Sequence, residues 1–181
     1  MEDLRKLANL LASRNDLDAG ISALIQRPAN SGHIGEFIAA RVFNIRLELS
    51  AVHRASDGRF LEGDLAGKSV DVKFYGRQEG LLAVQEDIQP DYFLVLTGPE
   101  AGPSSSKGGI RPSLIDHVYL FRGRELAEDI SRRGVQFGVA ASIPKAAWHA
   151  AEVFPRPVNQ ELILSEEQRA ALSLFSSKAG A

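Results

Sequence analysis

The stretch Phe60-Leu61-Glu62-Gly63-Asp64-Leu65-Ala66-Gly67-Lys68-Ser69-Val70-Asp71-Val72-Lys73-Phe74-Tyr75 decides how the chain is read. Its second half alternates strictly: Val70, Val72 and Phe74 fall on one side of an extended backbone, and Ser69, Asp71, Lys73 and Tyr75 on the other. One face therefore belongs to a core, while the other sets a carboxylate beside an ammonium group. Leu65-Ala66-Gly67-Lys68 carries a turn signal, so residues 59–64 and 69–75 predict a β-hairpin. A four-residue turn would place Asp64 opposite Ser69 and Glu62 opposite Asp71. Asp64 would then lie diagonal to Asp71, at roughly 7–8 Å between backbones. A slip of one residue would turn Asp64 to the opposite face.

Upstream of the hairpin, a helix is expected from about Ser31 to Phe43, with Ile34, Phe37, Ile38, Val42 and Phe43 on one stripe and Glu36 off it. Residues 3–26 predict two short amphipathic helices, the first on Leu4, Leu7, Leu10 and Leu11, the second on Leu17, Ile21, Leu24 and Ile25. Asn15 and Asp16 would cap the second, and Pro28 would close it. This pair is expected as an N-terminal helical appendage (1–30) on a core formed by 31–181. Downstream, residues 47–52 form a short strand or an irregular link, and residues 81–84 a third strand. The run 91–97 is apolar throughout, as in a strand buried on both faces. Residues 98–112 are rich in Gly, Pro and Ser and predict a loop. Further strands are expected at 118–121 and within 134–143, and helices at 124–133, 144–148 and 166–175. The order predicts an α/β fold, a mixed central β-sheet flanked by helices.

The 181 residues favour one domain. Hydrophobic residues are 44% and charged residues 24% of the chain, ordinary proportions for a soluble globular protein. There is no cysteine, which excludes disulfides and thiolate zinc sites. No apolar run approaches the roughly 20 residues of a membrane helix. The acidic start Met1-Glu2-Asp3-Leu4-Arg5 is unlike a signal peptide, so the expected location is cytoplasmic. A net charge of −2 neither favours nor excludes nucleic acid, because a metal and a local basic rim offset acidic residues in a site.

Two carboxylates converging beside a lysine suit phosphodiester hydrolysis. Such carboxylates hold Mg²⁺ or Mn²⁺ by oxygen ligands and leave positions for water and phosphate. The cation activates water and offsets developing charge, and the lysine orients that water or stabilises the phosphate. Asp64, six intervening residues and then Asp71-Val72-Lys73, preceded by a helix bearing Glu36, resembles the PD-(D/E)xK nuclease superfamily (restriction-endonuclease-like) over residues 31–97 and more loosely to Trp148. Gly32-His33-Ile34-Gly35-Glu36 is similar to the opening of its resolvase-like members. The resemblance implies Asp64, Asp71 and Glu36 as metal ligands and Lys73 as the catalytic lysine. It also implies an Mg²⁺- or Mn²⁺-dependent endodeoxyribonuclease acting on DNA in restriction, repair or defence. Gly63 stands where the family name puts proline, and Glu62 is the stand-in for Asp64. Both a homodimer and a partner subunit fit this reading. The alternative is an inactive nuclease-fold module that binds DNA or a protein.

Plainer roles stand beside these. Asp71 and Lys73 alone would suit a solvated strand edge. His33, Tyr75, Arg77 and Gln85 are candidates for substrate contacts. His33 equally suits a helix surface and Gln85 the polar end of a strand. Gly102 to Gly108 lacks the spacing of a phosphate loop, and Trp148 reads as a core residue.

Overall fold

The computed structural model describes residues 1–48, 56–87, 89–101 and 112–178. Among these residues the chain forms five α-helices and eight strands: α1 (Glu2–Ile25), α2 (Ser31–Val42), β1 (Ile45–Leu47), β2 (Gly58–Phe60), β3 (Ser69–Tyr75), β4 (Leu81–Val84), β5 (Tyr92–Thr97), β6 (His117–Arg122), α3 (Gly123–Arg132), β7 (Gly138–Ser142), α4 (Lys145–Ala151), β8 (Glu152–Phe154) and α5 (Glu166–Ser173). The expected mixed α/β class holds. A six-stranded sheet runs in the order β1-β2-β3-β5-β6-β8, and β4 pairs with β7 in a separate ribbon. Only β3 and β5 are parallel neighbours in the large sheet; its other pairs are antiparallel.

The alternation in β3 sorts the molecule into two cores. Val70, Val72 and Phe74 pack with Ile38 and Ala39 of α2 and Leu172 of α5 on one face. On the other, Phe93 and Val95 of β5 join Leu126 and Ile130 of α3 and Trp148 of α4, with Tyr75 packed against them. Every residue of β5 is buried, as its apolar run predicts. Trp148, 3% exposed, is a core residue, its ring edge-on to Tyr119 and Phe121.

Helix α2 lies close against β3. A Cβ on Gly35 would stand 2.5 Å from Phe74 Cβ, so only glycine lets the helix approach this near. Asn30 caps its N-terminus by accepting the His33 amide at 2.9 Å. At the far end, Gln168 of α5 donates from Nε2 to the Val42 carbonyl at 2.9 Å. The Oε1 of the same side chain accepts the Ser165 amide, completing a capping box. The start of β3 is pinned to β5, where Asp91 accepts the amide and hydroxyl of Ser69, each at 2.8 Å.

Three expectations are corrected. Residues 2–25 form one continuous helix, since Asn15 and Asp16 sit in its middle with no capping break. Strand β2 ends at Phe60, with Gly58 opposite Val70 and Arg59 opposite Ser69, so the register that would place Asp64 opposite Ser69 and Glu62 opposite Asp71 does not form. Strand β8, which follows α4 directly, was not expected. Of the predicted segments, 49–52 and 102–111 lie outside the described residues.

The Gly35–Phe74 approach predicts a measurable penalty. Replacing Gly35 by alanine should lower stability by about 1–3 kcal/mol through overpacking, seen as a lower urea midpoint. An unchanged midpoint would show that α2 does not need this close approach.

Candidate active site

The carboxylate that meets Asp71 belongs to Asp57, not to Asp64. The ladder between β2 and β3 stops at Gly58–Val70. One residue earlier, the Asp57 amide still donates to the Val70 carbonyl at 3.0 Å. Its side chain then takes over from the backbone: Oδ2 accepts the Val72 amide at 2.8 Å. Gly58 keeps this turn tight against β1, because a Cβ there would lie 2.6 Å from the Arg46 carbonyl oxygen. A backbone bond on one side and a side-chain bond on the other thus hold Asp57 at the edge of β3.

Asp71 is 6% exposed and sits beside Phe93 in the β3–β5 register, with Lys73 beside Val95. The Lys73 ammonium lies 2.7 Å from Asp71 Oδ1. At this distance the ammonium and the carboxyl are in a charge-assisted contact. Burial pushes the Asp71 carboxyl up to about 7; Lys73 opposes the shift, while the charge and hydrogen bonding of Asp57 reinforce it. Burial works against the charge on Lys73, but Asp71 and then Asp57 outweigh it and hold its pKa above the usual lysine value. Two carboxylates in mutual contact, one of them desolvated, form a site that gains from an added cation.

The other expected site residues are distributed as follows. Asp64 lies in a 3-10 turn (Gly63–Leu65) in the connection between β2 and β3, exposed to solvent. That connection folds back because Leu65 is buried in the core and the Gly67 amide bonds the Phe60 carbonyl at 2.8 Å, which carries Asp64 away from β3. Glu62, the stand-in, is exposed just before the same turn. Glu36 stands on α2, the helix that covers the Val70–Phe74 face, opposite Asp71 and Lys73, and Arg27 binds its carboxylate. Glu36, Asp64 and Asp71 are therefore not gathered. Among the described residues no three His, Asp or Glu side chains form a metal-holding group.

His33 Nδ1 is 3.0 Å from both the Pro28 carbonyl and the Asn30 side-chain amide, so the ring serves the helix start. Tyr75 shares the face of Lys73, and its hydroxyl accepts the Ala83 amide at 3.0 Å; burial raises its pKa. Arg77 lines a cavity with Phe74, Tyr75 and Glu79. Gln85 lies exposed just past β4, in the ribbon rather than the large sheet. A cavity of about 640 Å³ lies elsewhere, around Tyr119, Trp148, Glu152 and Arg156. Its buried carboxylate, Glu152, is already committed to Arg156 at 2.6 Å and His117 at 3.3 Å. Asp57 is the residue that sequence reasoning missed. Its signal is the Asp-Gly pair just ahead of an apolar–polar alternation.

Compared by sequence with known protein families and curated proteins, the chain matches no family model and no curated protein.

The raised Asp71 value fixes the sign of a pH effect. The native state holds a proton on Asp71 that the unfolded chain releases from about pH 4, so this group's contribution to stability is full below its unfolded pKa and is lost as pH rises towards about 7. Without added metal, the melting temperature of the wild type should fall from pH 5 to pH 8 more steeply than that of Asp71→Asn. Parallel curves would remove Asp71 as the titrating group.

Proposed function

We propose that the chain is a divalent-metal-dependent nuclease that hydrolyses phosphodiester bonds of DNA, working in the cytoplasm, with a site of Asp57, Asp71 and Lys73. The observation that carries this reading is the convergence of two carboxylates from neighbouring β-segments beside an ammonium group, with Asp71 buried between Asp57 and Lys73. Such a donor set suits Mg²⁺ or Mn²⁺, which take one or two carboxylates and complete their shell with water and phosphate oxygens. The helix α2, the antiparallel β1-β2-β3 edge and the parallel β5 agree with a restriction-endonuclease-like fold, the resemblance raised by the Asp-Val-Lys motif. No helix among the described residues is long and apolar enough to cross a membrane.

In this mechanism Asp57 and Asp71 hold the cation. Once bound, it supplies an acidified water and offsets charge on the phosphate. Lys73, held protonated by its acidic neighbours, donates to a non-bridging phosphate oxygen as negative charge builds there. The Asp71 carboxyl must lose its proton before it can bind a cation. Glu36 has no part unless Arg27 releases it.

Cleavage of supercoiled plasmid in Mg²⁺ or Mn²⁺ tests the reading and separates the two acidic candidates. Asp57→Ala, Asp71→Ala and Lys73→Ala should each lower the rate on the order of a hundredfold or more, the scale of losing one electrostatic partner. Asp64→Ala should cut at the wild-type rate. Cleavage that survives Asp71→Ala and Lys73→Ala would end the proposal, and cleavage abolished by Asp64→Ala but not Asp57→Ala would restore the register first read from the sequence. A folded chain that binds neither Mn²⁺ nor DNA would favour the inactive module that binds a protein.

A further inference from the structure

Helix α1 buries none of its residues, yet it carries most of the large apolar side chains left on the surface. Leu4, Leu7, Leu11, Leu17, Ile21 and Leu24 are 63, 51, 46, 69, 37 and 72% exposed. A helix of 24 residues, about 36 Å long, gains its stability from a covered apolar stripe, and this stripe is uncovered. Its contact with the body is confined to one end, where the Ser22 hydroxyl accepts the Ala29 amide at 3.0 Å.

The order of the stripe identifies its occupant. Taken from Arg14, Leu11 and Leu17 lie three residues away on either side, Leu7 and Ile21 seven, Leu4 and Leu24 ten; Leu10, 61% exposed on the same stripe, has Asp18 as its counterpart. Three apolar pairs equidistant from one central residue meet each other under a twofold axis, where residue i meets j and j meets i. We propose that two copies of this chain join through an antiparallel α1–α1 contact centred on Arg14.

Three further features fit that partner. Arg14 and Asp18, paired at 3.4 Å, lie near the middle of the stripe; with the axis at Arg14 the two arginines meet there, flanked by the two aspartates, so the four charges sum to zero. A lipid surface would have to desolvate the same charges with no counterpart. Antiparallel packing also sets the positive end of each helix dipole beside the negative end of its neighbour. Finally, the six side chains expose together on the order of 700 Å² per copy, close to the roughly 800 Å² per partner of a standard interface. The inference does not depend on the nuclease reading.

The chain has no cysteine, so introduced thiols report pairing directly. Leu4→Cys and Leu24→Cys, each alone, should stay uncrosslinked under mild oxidation, whereas an equilibrated mixture of the two should give a covalent dimer. Crosslinking of Leu4→Cys with itself would show a parallel contact and overturn the antiparallel one. Sedimentation of the wild type should give twice the mass of one chain. Leu7→Lys with Leu17→Lys should raise the dimer dissociation constant on the order of a hundredfold or more, because each lost leucine occurs twice. These positions are exposed in the single chain, so the melting profile of the core checks that the variant folds. A wild type that sediments as one chain at tens of micromolar, or that floats with anionic vesicles as one chain, refutes the proposal.

Discussion

Strand β3 is paired along one edge by β5 and at its start by β2, and it packs on both faces, so Asp71 is placed in an environment set by its neighbours rather than by water. Val70, Val72 and Phe74 commit one face to the core under α2 and α5. The other face must then carry Asp71 and Lys73 beside Phe93 and Val95. The charge pair is desolvated because the hydrophobic alternation is satisfied. Once Asp71 is fixed there, the remaining chemistry follows: a carboxyl that prefers its proton, a lysine that keeps its own, and a second carboxylate drawn to the strand edge by a free backbone N–H. A buried charge on a sheet strand breaks the local rule of apolar interiors, and such a break is where function is expected.

Most of that fold was legible. The periods of α2, α3 and α5 and the unbroken apolar run of β5 are strong enough that neighbours only confirm them. The alternation of β3 likewise placed Asp71 and Lys73 on one face before any partner was known. The partner carboxylate was not legible, because hairpin register depends on how the connection folds. Positive φ at Gly63 (71°) and Gly67 (79°) and the burial of Leu65 lengthen the connection beyond four residues, and β2 closes at Phe60. That moves the pairing several residues upstream, replacing Asp64 by Asp57. The helix break at Asn15-Asp16 failed for a related reason: caps favour a break but do not force one when leucines continue on both sides.

Near α2, the candidates divide by what already holds them. Glu36 is bound by Arg27 and His33 by the Pro28 carbonyl, so both serve the joint between the first two helices. Asp71, by contrast, is buried between an ammonium and a second carboxylate. A charged group balanced by its partners is a support; a buried carboxyl drawn one way by an ammonium and the other by a carboxylate has chemistry left to do. The same distinction sets aside Glu152, whose carboxylate is balanced by Arg156 and His117 inside a separate cavity.

Gln168 joins the two ends of the core in a single amide group, bonding the Ser165 amide through one atom and the Val42 carbonyl through the other. These partners are separated by more than a hundred residues of chain. A ribosome delivering the chain from its N-terminus leaves the end of α2 without this donor until α5 has emerged. Completion of the layer behind β3 therefore waits on non-local contacts, the kind that form slowly.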